Sequence, residues 1–195
     1  MSELIQSGNA AEATDPRILR SRGLLMEALL RLLGRKEFDD ISVQEIADEA
    51  TLNRATFYLH YQDKNALLQA MTGARFRDLI ARRGLSFKNC DGALRAIALG
   101  VCDYLAETTG CPGQLAKMPL EGSIIPVMES MFLEGAAHRA MAPGADPALL
   151  ATAAAWAIFG AARRWFQTAD RVPAEEMAAK IEAMVKPIFF SVSEV

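Results

Sequence analysis

The segment from Ser42 to Leu59 restricts the fold more than any other part of the chain, because it contains the start signals of two short helices. Ser42 and Glu45 form a capping box, in which a hydroxyl and a carboxylate satisfy backbone amides at a helix start. That helix extends to about Ala50, and Asn53 is placed to cap a second helix through Leu59. Isolated helices this short are unstable in water, so the two must pack on each other.

The apolar residues of this segment indicate how the two helices pack. Ile46 and Ala47 face inward from the first helix, Leu52 lies in the turn, and Phe57 faces back from the second helix. The small side chain of Ala47 allows the helices to cross closely. This pattern predicts a helix-turn-helix, whose second helix enters the major groove of DNA.

The rest of the chain also has helical patterns, and no segment shows the two-residue alternation of a strand. Asp15-Pro16 and Asp146-Pro147 each combine an N-cap with proline at the first helical position, and Asp63 is placed to cap a long helix. The helices outside the helix-turn-helix are predicted at 16–34, from 64 to about 80, 91–105, 124–140, 147–169 and 173–189, with a loop at 108–122. Pro187 predicts a kink or an end of the last helix.

The sequence therefore predicts an all-α fold. A three-helix helix-turn-helix domain at 15–64 is joined by a long helix to a C-terminal helical domain at 65–195, and residues 1–14 form a disordered arm.

Composition and motifs exclude several function classes. The net charge of −3 gives no global basic character, but Arg17–Arg35 contains five arginines and one acid, which is a local basic patch. The three cysteines form no CxxC pair, so neither a disulfide framework nor a zinc site is expected. No nucleotide-binding or nucleophile motif and no cluster of Asp, Glu and His is found, which argues against an enzyme, a cofactor and a metal. With no signal peptide or membrane span, a cytoplasmic protein is expected.

Candidate DNA contacts follow from helix phase and side-chain chemistry. Arg54 can bind guanine with two hydrogen bonds, while a methyl group or ring edge, as on Tyr58, can contact a thymine methyl. Thr56 and His60 can donate to phosphates. Lys64 lies at a predicted helix N-terminus, where the helix dipole disfavours a positive charge. A bound anion would compensate for this, so we expect a DNA phosphate to bind beside Lys64. The full predicted set is Ser42, Gln44, Asn53, Arg54, Ala55, Thr56, Tyr58, His60 and Lys64.

Residues 41–68 resemble the signature of TetR-family transcriptional repressors, and the resemblance covers about residues 17–75. The matching residues are Ser42, Ile46, Ala47, Thr56, Phe57, Tyr58, His60, Tyr61, Lys64 and Leu67. The resemblance implies a homodimer that binds a palindromic operator on double-stranded DNA and is released by a small-molecule effector. One residue departs from the pattern, because Thr51 stands where the family usually has glycine. If the turn needs a positive φ at this position, Thr51 is strained. If it does not, the turn has a different shape from the family's.

The C-terminal half leads to two further predictions. The helices around 147–169 and 173–190 should form a four-helix dimer interface through small residues, which are Ala148, Ala151, Ala154, Ala155, Gly160 and Ala162. An apolar effector pocket is predicted from Val101, Tyr104, Met128, Phe132, Trp156 and Phe159. Two alternatives remain open: these side chains can be ordinary core, and a protein partner can replace the small molecule.

Overall fold

In a computed structural model, residues 15–84, 92–110, 119–136 and 146–189 are described. These residues contain eight α-helices, a short 3₁₀ turn at Phe38–Asp40 and no strand, so the predicted all-α fold is confirmed. The predicted arm at 1–14 lies outside the described residues. No helix within these ranges is both long and apolar enough to cross a membrane. The helices are α1 (Pro16–Leu33), α2 (Val43–Glu49), α3 (Arg54–His60), α4 (Lys64–Arg82), α5 (Ala93–Gly110), α6 (Leu120–Ala136), α7 (Pro147–Phe166) and α8 (Ala174–Phe189).

Side-chain caps begin the helices where the sequence predicted them. Asp15 accepts a hydrogen bond from the Arg17 amide at 2.8 Å, and Asp146 accepts one from the Ala148 amide at 2.9 Å. Asp63 accepts from the amide of Ala66 at 2.8 Å. These short-range signals set the helix starts because each needs only a side chain and an amide two or three residues away.

The helix ends differ from the prediction in several places. Residues 108–110 and 120–122, predicted as loop, belong to α5 and α6, since glycine is tolerated near helix ends. The helix α7 ends at Phe166, three residues earlier than predicted. Pro187 lies inside α8, which ends two residues later at Phe189. The predicted start at Asp91 and the residues 137–140 lie outside the described chain.

The described chain forms two compact units that divide within α4, between Met71 and Thr72. In the first unit, α1 packs against α2 and α3, and α2 packs against α3. The predicted inward residues Ile46, Ala47 and Phe57 are fully buried. This packing fixes the crossing of α2 and α3 and therefore holds the surface of α3 in place.

In the second unit, α7 packs against α5, α6 and α8, and α5 also packs against α8. Gly100 of α5 allows a close approach to α4. A β-carbon there would lie 2.9 Å from Cγ1 of Ile80 and 3.0 Å from the Phe76 ring. Burial raises the pKa of the Cys102 thiol to about 12, so this cysteine stays protonated and behaves as a small apolar side chain.

Candidate nucleic-acid interface

The turn between α2 and α3 has a left-handed residue at its centre. Thr51 has a φ of 57°, and its amide donates to the Asp48 carbonyl at 3.0 Å. The next amide, of Leu52, donates to the Ala47 carbonyl at 2.9 Å. These two bonds form a Schellman motif, in which the residue after the C-cap is usually glycine. The turn therefore has the geometry that favours glycine, and Thr51 carries the strain.

We expect Thr51→Gly to raise the free energy of unfolding by about 1 kcal/mol. A β-branched residue at positive φ is strained by about 1–3 kcal/mol, and the entropy of glycine offsets about 0.5–1 kcal/mol of the relief. Urea denaturation measures the difference. The control is Ala50→Gly, because Ala50 has an ordinary helical φ of −80° and its replacement should destabilise the protein. A Thr51→Gly protein less stable than the parent would show that the turn is not strained.

The exposed face of α3 presents Arg54 and Tyr58, four residues apart. Nη2 of Arg54 donates to the Tyr58 hydroxyl at 3.3 Å, and the guanidinium carbon lies 5.5 Å from the centre of the ring. Both side chains are exposed, whereas Phe57 between them is buried. The contact with Tyr58 uses one of the five guanidinium donors, so the others remain available for a base edge.

Several predicted DNA contacts already have partners within the chain. The Asn53 carboxamide oxygen accepts from both the amide and the hydroxyl of Thr56, at 2.6 Å and 2.8 Å. The Ser42 hydroxyl accepts from the Glu45 amide at 3.2 Å and donates to the Glu45 carboxylate. The Gln44 side chain donates to Asp48 at 2.8 Å. These polar groups hold the helix starts and α2, and only their remaining lone pairs or protons face solvent.

Lys64 has a different set of partners from the one expected. Its ammonium donates to the carbonyls of Phe38, Asp39 and Ile41, each at 2.9 Å, and lies 4.8 Å from the centre of the Phe38 ring. An ammonium has three donors, and all three are used. In this conformation Lys64 therefore ties the start of α4 to the 3₁₀ turn and has no donor left for the predicted phosphate.

Leu59 is an exposed residue of α3 that the sequence reasoning missed. Its side chain is 81% exposed, next to the exposed Tyr58. The signal was available, because two residues after the inward Phe57 a helix has turned by about 200°. An apolar side chain here has the chemistry to contact thymine methyl groups, and Ala55 lies on the same exposed face.

The basic patch predicted at Arg17–Arg35 is divided into two parts. Arg31 and Arg35 bind the carboxylate of Glu49 at 2.8 Å and 2.6 Å. In the first half of α1, Arg17, Arg20 and Arg22 form no ion pair within the described residues. The uncompensated positive charge of α1 therefore lies in its first half.

Comparison with known proteins identifies this domain. The family model for bacterial regulatory proteins of the tetR family matches residues 25–71, from α1 through the first part of α4. Residues 25–71 therefore carry the N-terminal domain of this family. The family consists of transcriptional regulators and not of enzymes.

Two relatives match short segments of the chain. An uncharacterized HTH-type transcriptional regulator of Bacillus subtilis, YxbF, is 40% identical over 58 residues, which are 29% of this chain and 15% of that protein. A second from the same organism, YuxN, is 40% identical over 48 residues, 25% of this chain and 16% of that protein. The likeness in sequence thus spans less than a fifth of either relative.

A solved structure extends the likeness in fold to most of the chain. A TetR-family regulator from Streptomyces coelicolor has a TM-score of 0.63 and covers 90% of this chain and 97% of its own. Its sequence is 15% identical, so the comparison establishes the all-α fold and nothing about ligands.

The predicted effector residues lie together in the second unit, with one exception. Five of the six are buried in a single apolar cluster, and these are Val101, Tyr104, Met128, Phe132 and Phe159. Trp156 is 51% exposed, so its side chain is not part of this cluster. Ala155 and Phe159 are among the buried residues of α7, whereas Trp156 belongs to the outer face of the helix.

Some of the small residues predicted for the dimer interface are buried and others are exposed. Ala151, Ala154, Ala155 and Ala162 are buried within the protomer, so they are not available to a partner. The outer face of α7 instead presents Leu149, which is 66% exposed, Trp156 and Gly160, and α8 adds the exposed Met184. The prediction of an alanine-lined interface is therefore wrong for these four residues.

Proposed function

We propose that the chain is a homodimeric transcriptional repressor that binds a palindromic operator through α3 and releases it when a small ligand binds the second unit. The single observation that supports this best is the surface of α3. It carries the exposed Arg54, Ala55, Tyr58 and Leu59 on a helix held by the buried Phe57. Such a regulator would act in the cytoplasm, where its operator lies.

The chemistry of this surface suits the major groove. Arg54 has the planar donor pair that binds O6 and N7 of guanine, while Ala55 and Leu59 offer methyl groups for thymine. The Tyr58 ring lies beside the guanidinium and limits its freedom. A base-reading arginine that is partly ordered before binding loses less conformational entropy on the DNA.

We expect Arg54→Ala to relax sequence preference, at a cost of about 1–3 kcal/mol at one base position in each half-site. The matched variant Arg54→Lys keeps the positive charge and removes the planar fork, so it should lose the same preference while retaining affinity for unrelated DNA. Titration against the operator found in the upstream DNA, its point variants and unrelated DNA measures both. Equal weakening on every sequence would show that Arg54 contacts phosphate instead.

The buried cluster of the second unit supports an apolar ligand with one polar group. Among its apolar side chains lie the buried hydroxyls of Thr72, Tyr104 and Ser123, and the Thr72 and Tyr104 oxygens are 3.5 Å apart. Ligand sites in proteins commonly combine an apolar lining with a few polar groups. Thr72 lies on α4, the helix whose first turns, from Lys64 to Met71, belong to the first unit.

Release of the operator requires the ligand to bind the DNA-incompetent state more tightly than the DNA-bound state. A coupling free energy of about 1–3 kcal/mol would change operator affinity roughly 5–150-fold. Screening small molecules for release of the bound operator tests this part of the proposal. Release by a protein from the same cell, and by no small molecule, would favour the alternative in which a partner regulates the same fold.

The proposed dimer uses the outer face of α7 and α8. Leu149, Trp156 and Gly160 are seven and four residues apart, so they lie on one side of α7. The helices α7 and α8 pack against each other. The same two helices from a second protomer would bury this apolar face in an isologous four-helix interface.

A further inference from the structure

The side of α3 that points directly away from the core is apolar. Phe57 is fully buried and fixes which side of the helix faces inward. Successive residues of an α-helix are turned by about 100°, so Ala55 and Leu59, two residues before and after Phe57, point outward. Leu59 is 81% exposed, the largest fraction among the exposed large apolar side chains of the described residues. The centre of the surface that we place in the major groove therefore has no hydrogen-bonding side chain.

The polar side chains of α3 lie on its flanks and are held there by contacts close along the chain. The Tyr58 ring packs edge-on against the Phe57 ring, with centroids 5.5 Å apart, and the Arg54 guanidinium lies over its face. On the other flank, the Thr56 hydroxyl donates to the Asn53 side chain at 2.8 Å. Neither flank covers the apolar centre of the helix, which remains open to a ligand.

The position of Leu59 distinguishes it from an ordinary surface leucine. Single exposed apolar side chains are common on protein surfaces and need no partner. Leu59, however, lies one turn from Ala55 on the same line of the helix, between an arginine–tyrosine pair and a threonine. A base-reading surface with an aliphatic centre can gain contact only from an apolar group of the DNA.

The major groove contains one such group. The base edges present hydrogen-bond donors and acceptors there, and thymine adds an apolar group, the methyl on its C5 carbon. A leucine does not form hydrogen bonds with the base edges, whereas it buries apolar area against the methyl. Cytosine methylated on C5 carries the same group at the same place. An aliphatic side chain therefore detects the C5 methyl and not the hydrogen-bonding groups of the pyrimidine.

We propose that Leu59 reads the C5 methyl group of one pyrimidine in each half-site, whether that pyrimidine is thymine or 5-methylcytosine. This inference rests on the proposed binding of DNA through α3. It adds a second base position to the guanine that Arg54 contacts, and it names the chemical group that is read there. The small side chain of Ala55 favours this contact, because it lets the same line of the helix approach the base edges closely.

The test changes one pyrimidine at a time in the operator found in the upstream DNA, at the same position of both half-sites. Thymine is compared with uracil, and 5-methylcytosine with cytosine, so that only the methyl differs within each pair. At one position, we expect loss of the methyl to weaken binding about fourfold per half-site, which is the effect of one buried methyl group. The factor should be the same for both pairs of bases.

The variant Leu59→Ala removes the proposed reading side chain. It should be as stable as the parent in thermal unfolding, because the side chain is exposed. The methyl effect of both base pairs should disappear in this variant, and such non-additivity identifies a direct contact. The control is Leu133→Ala, which removes a leucine that is 41% exposed on α6 and should leave the methyl effect at its parent value.

The possible results separate this site from the proposed function. If the parent binds no operator, the proposed function fails and the assignment of Leu59 fails with it. If the parent binds the operator and the methyl effect is as large in Leu59→Ala as in the parent, another residue reads the methyl and the assignment is overturned, while DNA binding stands. If no pyrimidine responds to loss of its methyl, or if Leu59→Ala weakens binding equally on methylated and unmethylated bases, the assignment is likewise overturned.

Discussion

Gly160→Arg is expected to convert the dimer into a folded monomer, with a dimer dissociation constant raised about 100-fold or more. Gly160 lies on the outer face of α7, and a β-carbon placed there meets no atom within 4 Å in the protomer. The new side chain therefore does not disturb the protomer itself. In an isologous interface it would be inserted twice, and overpacking costs about 1–3 kcal/mol at each site.

Sedimentation velocity measures the oligomeric state, and thermal unfolding shows whether the protomer is intact. The control is Gly135→Arg on α6, another helical glycine where a β-carbon meets nothing within 4 Å. It adds the same side chain away from the proposed face and should remain dimeric. A well-folded Gly160→Arg dimer as tight as the parent would place the interface on another surface.

Lys64→Met is expected to destabilise the first unit by about 2–3 kcal/mol without changing the salt dependence of DNA binding. The methionine keeps most of the apolar stem but leaves the carbonyls of Phe38, Asp39 and Ile41 without their donor. Hydrogen bonds from a charged group contribute about 1.5–3 kcal/mol each, and the total is reduced here because the site is only partly buried. Urea denaturation followed by circular dichroism measures the loss.

The salt dependence of DNA binding separates this role from a phosphate contact. A lysine on phosphate would leave stability nearly unchanged and reduce the salt dependence by about one unit when removed. The control is Lys36→Met, in which the lost partner is an exposed ion pair with Glu45, and exposed ion pairs contribute little to stability. A stable Lys64→Met protein with a reduced salt dependence would restore the phosphate role that the sequence predicted.

The features that the sequence predicted best are those that depend on residues close together in the chain. The capping box at Ser42 and the cap at Asn53 each involve groups within three residues of one another. The geometry of such motifs follows from local backbone rules. The family signature of the first unit consists mostly of these local features, which explains why 25–71 could be recognised.

The role of Lys64 depends on contacts that the sequence does not display. Its three carbonyl partners lie 23 to 26 residues earlier, in a 3₁₀ turn and at the residue that follows it, and no pattern in the sequence predicted this turn. Arg31 and Arg35 likewise form ion pairs with Glu49 of α2. These pairs neutralise two of the five arginines of the predicted basic patch. A charge count along the chain gives the number of arginines but not how many are neutralised.

Trp156 and the alanines of α7 show a second limit of sequence reasoning. Helical periodicity identifies the two faces, but both are apolar here, so it does not decide which of them points inward. The sequence predicts the aromatic side chain in the interior and the small ones against a partner. The structure reverses this for Trp156 and for Ala151 and Ala154, because α7 is surrounded by α5, α6 and α8 and alanines permit that close packing.

The strained turn at Thr51 also affects how many other mutations the protein can tolerate. Proteins stay functional only above a threshold of stability, and most substitutions reduce that stability. Because Thr51 has a φ of 57°, the first unit is less stable than it would be with glycine there, and it lies closer to that threshold. Thr51→Gly would raise the free energy of unfolding again. Destabilising variants such as Lys64→Met, when made in the Thr51→Gly protein, should therefore stay folded while their DNA binding is measured.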